Sequence, residues 1–133
     1  NQFNLPPGTT WGPRLRVQRR YIVTVTTRAY EIMIIVDGEE EDAKVDEVVQ
    51  GVDTWIQEQN GQVASTDKWG KRKFAYEINH KTEGHYVVLE MTTGQIDMEP
   101  LERQIRLLDE VVRHKLIRLP EHEAIRRGLI EKS

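Results

Sequence analysis

The segment Trp69-Gly70-Lys71-Arg72-Lys73-Phe74-Ala75-Tyr76-Glu77-Ile78 gathers cations and aromatic rings inside a chain of 133 residues whose net charge is −3. Lys and Arg neutralise phosphates, and flat rings offer stacking faces or protein contacts, so the block suits recognition of a polyanion or of a partner. The same residues also suit a β-strand whose solvent face carries Lys and Arg, which blunts edge-to-edge aggregation.

Other chemistry has few carriers. The serines are Ser65 and Ser133, neither in a Gly-x-Ser-x-Gly turn. The chain has no cysteine, which removes thiol nucleophiles, disulfides and Cys-ligated zinc and permits a reducing compartment. His80, His85, His114 and His122 do not fall at His-Glu-x-x-His spacing and read as loop, strand or surface residues. Neither Gly-x-x-x-x-Gly-Lys nor Gly-x-Gly-x-x-Gly occurs, so no nucleotide cradle is expected. The expectation is a non-enzyme with no metal site, no cofactor and no small-molecule substrate. Gly84-His85-Tyr86-Val87-Val88-Leu89 shares part of an RNA-recognition-module strand, but the basic residue before the glycine and the later aromatic are missing. Tyr30 shares a strand face with Ile32 and Ile34 and is assigned to the core rather than to base stacking.

Charge is segregated along the chain. Residues 1–24 carry Arg14, Arg16, Arg19 and Arg20 and no acid. From Asp37 to Glu58 carboxylates dominate, with Lys44 as the sole cation, and cations return at Lys68–Lys73 and Arg103–Arg118. An acidic total is compatible with a polyanionic partner when the cations converge on one surface. The acidic stretch reads as a solvated helix face. No apolar run reaches the roughly 20 residues of a membrane span, and residues 1–24 lack an apolar signal core, so a soluble protein is expected.

These groups must be held by regular elements. Pro6-Pro7-Gly8 and Gly12-Pro13 interrupt periodicity, so residues 1–27 read as an irregular extension, with Tyr21-Ile22-Val23-Thr24-Val25 as a short strand candidate. Its composition is open to upstream read-through, a fusion remnant, a transit peptide or a native arm. Ala29 to Val36 is a continuous apolar run, as a covered central strand requires. Asp37-Gly38 ends it. Val45, Val48, Val49, Val52, Trp55 and Ile56 then recur at helical spacing after a cluster of acids, and Asn60-Gly61 stops the helix. Gln62–Ile78 and Gly84–Met91 read as antiparallel strands joined by the loop Asn79–Glu83. Asp97 is the expected cap of a second helix, with Pro100 in its first turn and Leu101, Ile105 and Leu108 on one face. Val111–Leu119 is the last strand, and residues 120–133 form a charged tail, locally helical around Ala124 to Gly128, with little apolar surface to bury.

The order β-α-β-β-α-β predicts a ferredoxin-like α+β domain over residues 28–119, a four-stranded antiparallel sheet with two helices on one face. In that plan the last strand lies beside the first. Arg28, Arg106, Arg113, Lys115 and Arg118 then become neighbours, with Arg113 and Lys115 alternating onto one face, as a backbone-reading RNA surface requires. Charges that protect a sheet edge are the competing reading. The topology alone also fits a ligand-binding regulatory domain acting as a homodimer, or an acylphosphatase-type hydrolase.

Five segments together resemble the sixth-protein family of the bacterial small ribosomal subunit: Arg28-Ala29-Tyr30-Glu31-Ile32-Met33, the Trp69–Ile78 block, Glu83-Gly84-His85-Tyr86-Val87, Leu101-Glu102-Arg103-Gln104-Ile105-Arg106, and Val111-Val112-Arg113-His114-Lys115-Leu116-Ile117-Arg118. The resemblance covers Arg28 to Leu119. It implies a structural protein of the small-subunit platform, cytoplasmic and ribosome-associated, that binds the central domain of small-subunit ribosomal RNA with the eighteenth small-subunit protein. Carried over, it places Arg28, Arg106, Arg113, Lys115 and Arg118 towards RNA. The resemblance puts Arg72 and Lys73 at the RNA edge or the partner, and Trp69, Phe74 and Tyr76 towards the protein partner. Val25-Thr26-Thr27-Arg28 resembles a family start, which leaves residues 1–24 outside it. Bacterial and organellar origins both remain compatible.

Overall fold

A computed structural model describes residues 27–131. Except for Thr27, the expected extension and its strand candidate Tyr21–Val25 lie outside the described residues. The first strand, β1, spans Arg28–Asp37 and buries Tyr30, Ile32, Ile34 and Val36 on one face. After the acidic turn, α1 (Asp42–Glu58) follows, then β2 (Gln62–Ile78), β3 (Lys81–Thr93), α2 (Glu99–Arg106), β4 (Val111–Leu119) and α3 (Glu121–Arg126). The sheet order is β2-β3-β1-β4, with antiparallel neighbours throughout. This is the ferredoxin-like plan expected from the element order.

Helix α1 lays Val45, Val48, Val52, Trp55 and Ile56 on the sheet, and α2 adds Leu101 and Ile105. They meet Tyr30, Ile32, Ile34 and Val36 of β1 and Val87, Leu89 and Met91 of β3 in one core. Tyr30 is therefore a core residue, as its strand parity requires. Burial of this apolar face, at about 25 cal/mol per Å², is the main favourable contribution to folding. Asn60 takes the left-handed conformation (φ 65°) at the end of α1, and the Gly61 amide returns to the Ile56 carbonyl at 2.9 Å. Asp37 and His85 secure the other end. The Glu39 amide donates to Asp37 Oδ1 at 3.0 Å, and the His85 ring Nε2 lies 2.8 Å from the Glu40 carbonyl oxygen.

Three details depart from expectation. The α2 cap position is Met98 rather than Asp97, although Asp97 Oδ1 still accepts the Glu99 amide at 3.0 Å. Strand β3 begins at Lys81, so the five-residue loop shrinks to the turn Asn79-His80, with φ of 50° and 64°. Left-handed angles at both residues match the right-handed twist of a hairpin and let pairing continue to the turn. The third departure is the tail. Ala124 of α3 is fully buried against Ala29 and Leu119, with Leu129 and Ile130 packed around them.

Ala29 lies one residue from Tyr30, so α3 covers the sheet face opposite α1 and α2. Glu31 and Glu90 pair directly across β1 and β3 on that face. Like charges so placed repel. Arg127 answers them, donating at 2.8 Å to Glu31 Oε1 and at 2.8 Å to Glu90 Oε2, while its Nε reaches Glu123 at 2.6 Å. These carboxylates hold the guanidinium further into its charged form, led by Glu31, and the paired arginines Arg126 and Arg127 pull Glu123 down to about 2. Arg127→Ala is expected to cost about 1 kcal/mol and to free α3. Chemical denaturation should show Glu90→Gln recovering part of that loss in the same background.

Candidate nucleic acid and partner interface

The face opposite α1 and α2 is built from alternate residues of each strand. On β1 these are Ala29, Glu31, Met33 and Ile35; the β3 set is Tyr86, Val88 and Glu90. The register places Arg113 beside Ile35, Lys115 beside Met33, Ile117 beside Glu31 and Leu119 beside Ala29. Arg113 and Lys115 therefore share one face, and it is the face that the two long helices leave open. Between α3 and the far end of the sheet lies a groove of about 360 Å³ lined by Glu31, Met33, Trp69, Val88, Lys115 and Ile117. Trp69 is 45% exposed and Ile117 38% exposed, so apolar surface here meets solvent.

Strand β2 brings the basic-aromatic block to the same face. It has 17 residues against 13 in β3, and the surplus enters through register shifts at Val63/Ser65, Lys68/Gly70 and Lys73/Ile78. Extra residues on one strand bend and twist it. Gly70 adopts φ 89°, a left-handed angle that glycine takes without strain, beside the second shift. Trp69 then stacks on Tyr86 with centroids 6.1 Å apart and planes 5° from parallel. Arg72 sits over Trp69 at 5.5 Å, and Phe74 meets Tyr86 at 6.2 Å and 67°. The result is a stack of cation and rings beside the groove, with each contact contributing about 0.5–1.5 kcal/mol.

The expected site residues do not all share one place. Arg72, Arg113 and Lys115 lie on the open face with Trp69, while Lys73 alternates to the other side of β2 in register with Glu83. Arg28 and Arg118 line one small cavity with Thr27, Ala29, Leu119, Glu121 and Ile130 at the opposite end of the sheet. Arg28 Nε is buried and has no hydrogen-bond partner among the described residues. Arg106 stands apart in the helix layer, ion-paired to Glu99 of the same helix. The rings also differ: Tyr76 is 70% exposed, whereas Phe74 is half-buried against Tyr86.

Sequence reasoning missed Asn79, Lys81, the groove floor of Met33 and Val88, and the internal ion pairs of Arg127. The signal for Arg127 was present in Glu31 and Glu90, lone carboxylates in apolar strands that needed a counter-ion. Lys81 Nζ lies 2.8 Å from Asp37 Oδ2. The Glu39 amide and then Lys81 hold the Asp37 carboxyl below the usual carboxylate range. No group of three or more metal-ligating side chains occurs among the described residues, and no helix there is long and apolar enough to cross a membrane.

Fold and site together define a ferredoxin-like domain whose exposed sheet face carries a cluster of cations and aromatic rings, while acidic α1 lies on the opposite layer. The family model for ribosomal protein S6 matches residues 29–118. Small ribosomal subunit protein bS6 of Carboxydothermus hydrogenoformans is 38% identical over 91 residues, 68% of this chain and 95% of that protein. The bS6 protein of Salinispora arenicola is 43% identical over 94 residues, again 68% of this chain and 95% of its own length. The crystal structure of 30S ribosomal protein S6 from Thermotoga maritima superposes with a TM-score of 0.70 at 29% identity, covering 77% of this chain and 97% of that one. The chain belongs to the ribosomal protein S6 family, ribosome-associated bacterial proteins of the small subunit that are not enzymes.

Proposed function

We propose that this protein binds the central domain of small-subunit ribosomal RNA together with the eighteenth small-subunit protein, and acts on the cytoplasmic ribosome as an assembly scaffold. The observation that carries the reading is the open sheet face, where an apolar groove adjoins Lys115, Arg113 and the Arg72–Trp69–Tyr86 stack. Apolar surface without cover favours a protein partner, and cations at its margin favour phosphate. Arg28 and Arg118 supply a second cationic end. The acids of α1 lie across the sheet from these groups and disfavour RNA on the helix layer.

Binding of the full chain to a central-domain RNA fragment, with and without the eighteenth protein, tests this across a salt series. Partner-dependent binding is expected to weaken by orders of magnitude between about 50 and 200 mM salt if roughly four to six phosphates are neutralised. Absence of binding in both conditions would sink the reading.

A further inference from the structure

We infer that Asn79 is a positioning residue for this surface: its side-chain amide latches the tip of the β2–β3 hairpin onto β4, setting the basic-aromatic block against Arg113. The inference rests on the RNA-binding reading and adds to it the device that joins two cationic segments.

Strands β2 and β4 are the two edges of the sheet. Three strand spacings of about 4.8 Å separate edges so arranged, roughly 14 Å. A flat hairpin would leave its tip beyond β3. Here Asn79 Nδ2 donates to the Val112 carbonyl oxygen at 2.9 Å, so the tip has crossed to the start of β4, next to Arg113. The extra residues of β2 supply the bend, and the last register shift, between Lys73 and Ile78, lies just before the tip.

Two further features fit this path. A Cβ at Gly84 would lie 2.5 Å from Ile35 Cγ2 and 2.9 Å from Phe74 Cζ. The missing side chain is what lets Phe74 lie down on the open face over β3. Lys81, the first residue after the turn, is held by Asp37 at the end of β1. Asn also tolerates the left-handed angle it adopts here, φ 50°. One residue thus serves the turn and the latch. Arg72 is in register with Gly84 at the root of the arm, so an unlatched arm would carry Tyr76 away from Arg113 and leave the root that holds Arg72 free to twist, and RNA or the partner would have to order it on binding.

The test uses the full chain with Asn79→Gly, which keeps the left-handed turn and removes the amide. Because the chain has no cysteine, a spin label on Tyr76→Cys reports the arm alone. Tyr76 is three residues from the latch, about 10 Å of chain. The label is expected to broaden the Arg113 amide resonance, and Asn79→Gly to relieve that broadening. In partner-dependent RNA binding, Asn79→Gly should weaken affinity about 10-fold, as the loss of one charge-assisted contact would, and lower the salt slope. Arg72→Ala should cost about as much in the wild-type background and less than about twofold when the latch is already gone, since coupled sites are not additive. Gly84→Ala, which lifts Phe74 by a different route, should reproduce the loss. Independent, multiplying effects of Arg72→Ala in the two backgrounds would overturn the inference, as would unchanged binding by Asn79→Gly. Failure of the wild-type chain to bind RNA is a separate outcome that removes the functional reading itself.

Discussion

Replacing Arg113 and Lys115 together by alanine is expected to lower affinity for the central-domain RNA fragment about 100-fold, from the loss of two charge-assisted contacts at about 1.5 kcal/mol each. The same change should reduce the slope of log affinity against log salt by about 1.4–1.8, since each phosphate contact contributes about 0.7–0.9. Both residues are exposed on an edge strand, in register with Ile35 and Met33, and neither belongs to the core clusters. The melting temperature should therefore stay nearly constant while binding falls. Arg106→Ala serves as the contrast. Arg106 is paired with Glu99 on the opposite layer, so its loss should change the slope by at most one contact. Titration of labelled RNA at several salt concentrations reads both quantities. A double variant that binds as the wild type would remove β4 from the RNA surface and leave the Arg72–Trp69 side as the contact.

Most of the fold was legible because its strongest patterns coincide. The apolar run from Ala29 to Val36, interrupted by Glu31 alone, belongs to an inner strand, and the helical spacing from Val45 to Ile56 to a helix that covers it. What escaped was set by long-range packing. Ala124 has too little surface to announce a buried helix, yet it becomes buried because Ala29 is small enough to admit α3. Asn79-His80 were read as part of a longer loop because neither is glycine, the usual residue at the left-handed positions of a two-residue turn. Within the site, strand parity correctly joined Arg113 to Lys115. It could not reveal that the bulged β2 would carry Arg72 onto the same face, nor that Arg106 would find its counter-ion in Glu99. Bulges are written in the pairing of two strands, and one strand's sequence holds only half of that information.

Leu89→Ala is expected to destabilise the protein by about 3–4 kcal/mol. Leu89 is fully buried, in register with Ile32 on the inner strand pair, and faces the core between the sheet and the two long helices. Hydrogen-bonded neighbours on both sides hold β3 in place, so the cavity can collapse little and the upper part of the range applies. Urea unfolding measures the loss. RNA affinity of the folded fraction should be unchanged, because Leu89 touches nothing on the open face. Val88→Ala, one residue away, inverts that pattern. Val88 lines the groove with Met33, Trp69 and Ile117, so its truncation should cost under about 1 kcal/mol of stability and weaken the response to the partner protein. Equal destabilisation by the two substitutions would mean that the groove is already covered in the free chain, and the partner would then have to displace that cover before it could dock.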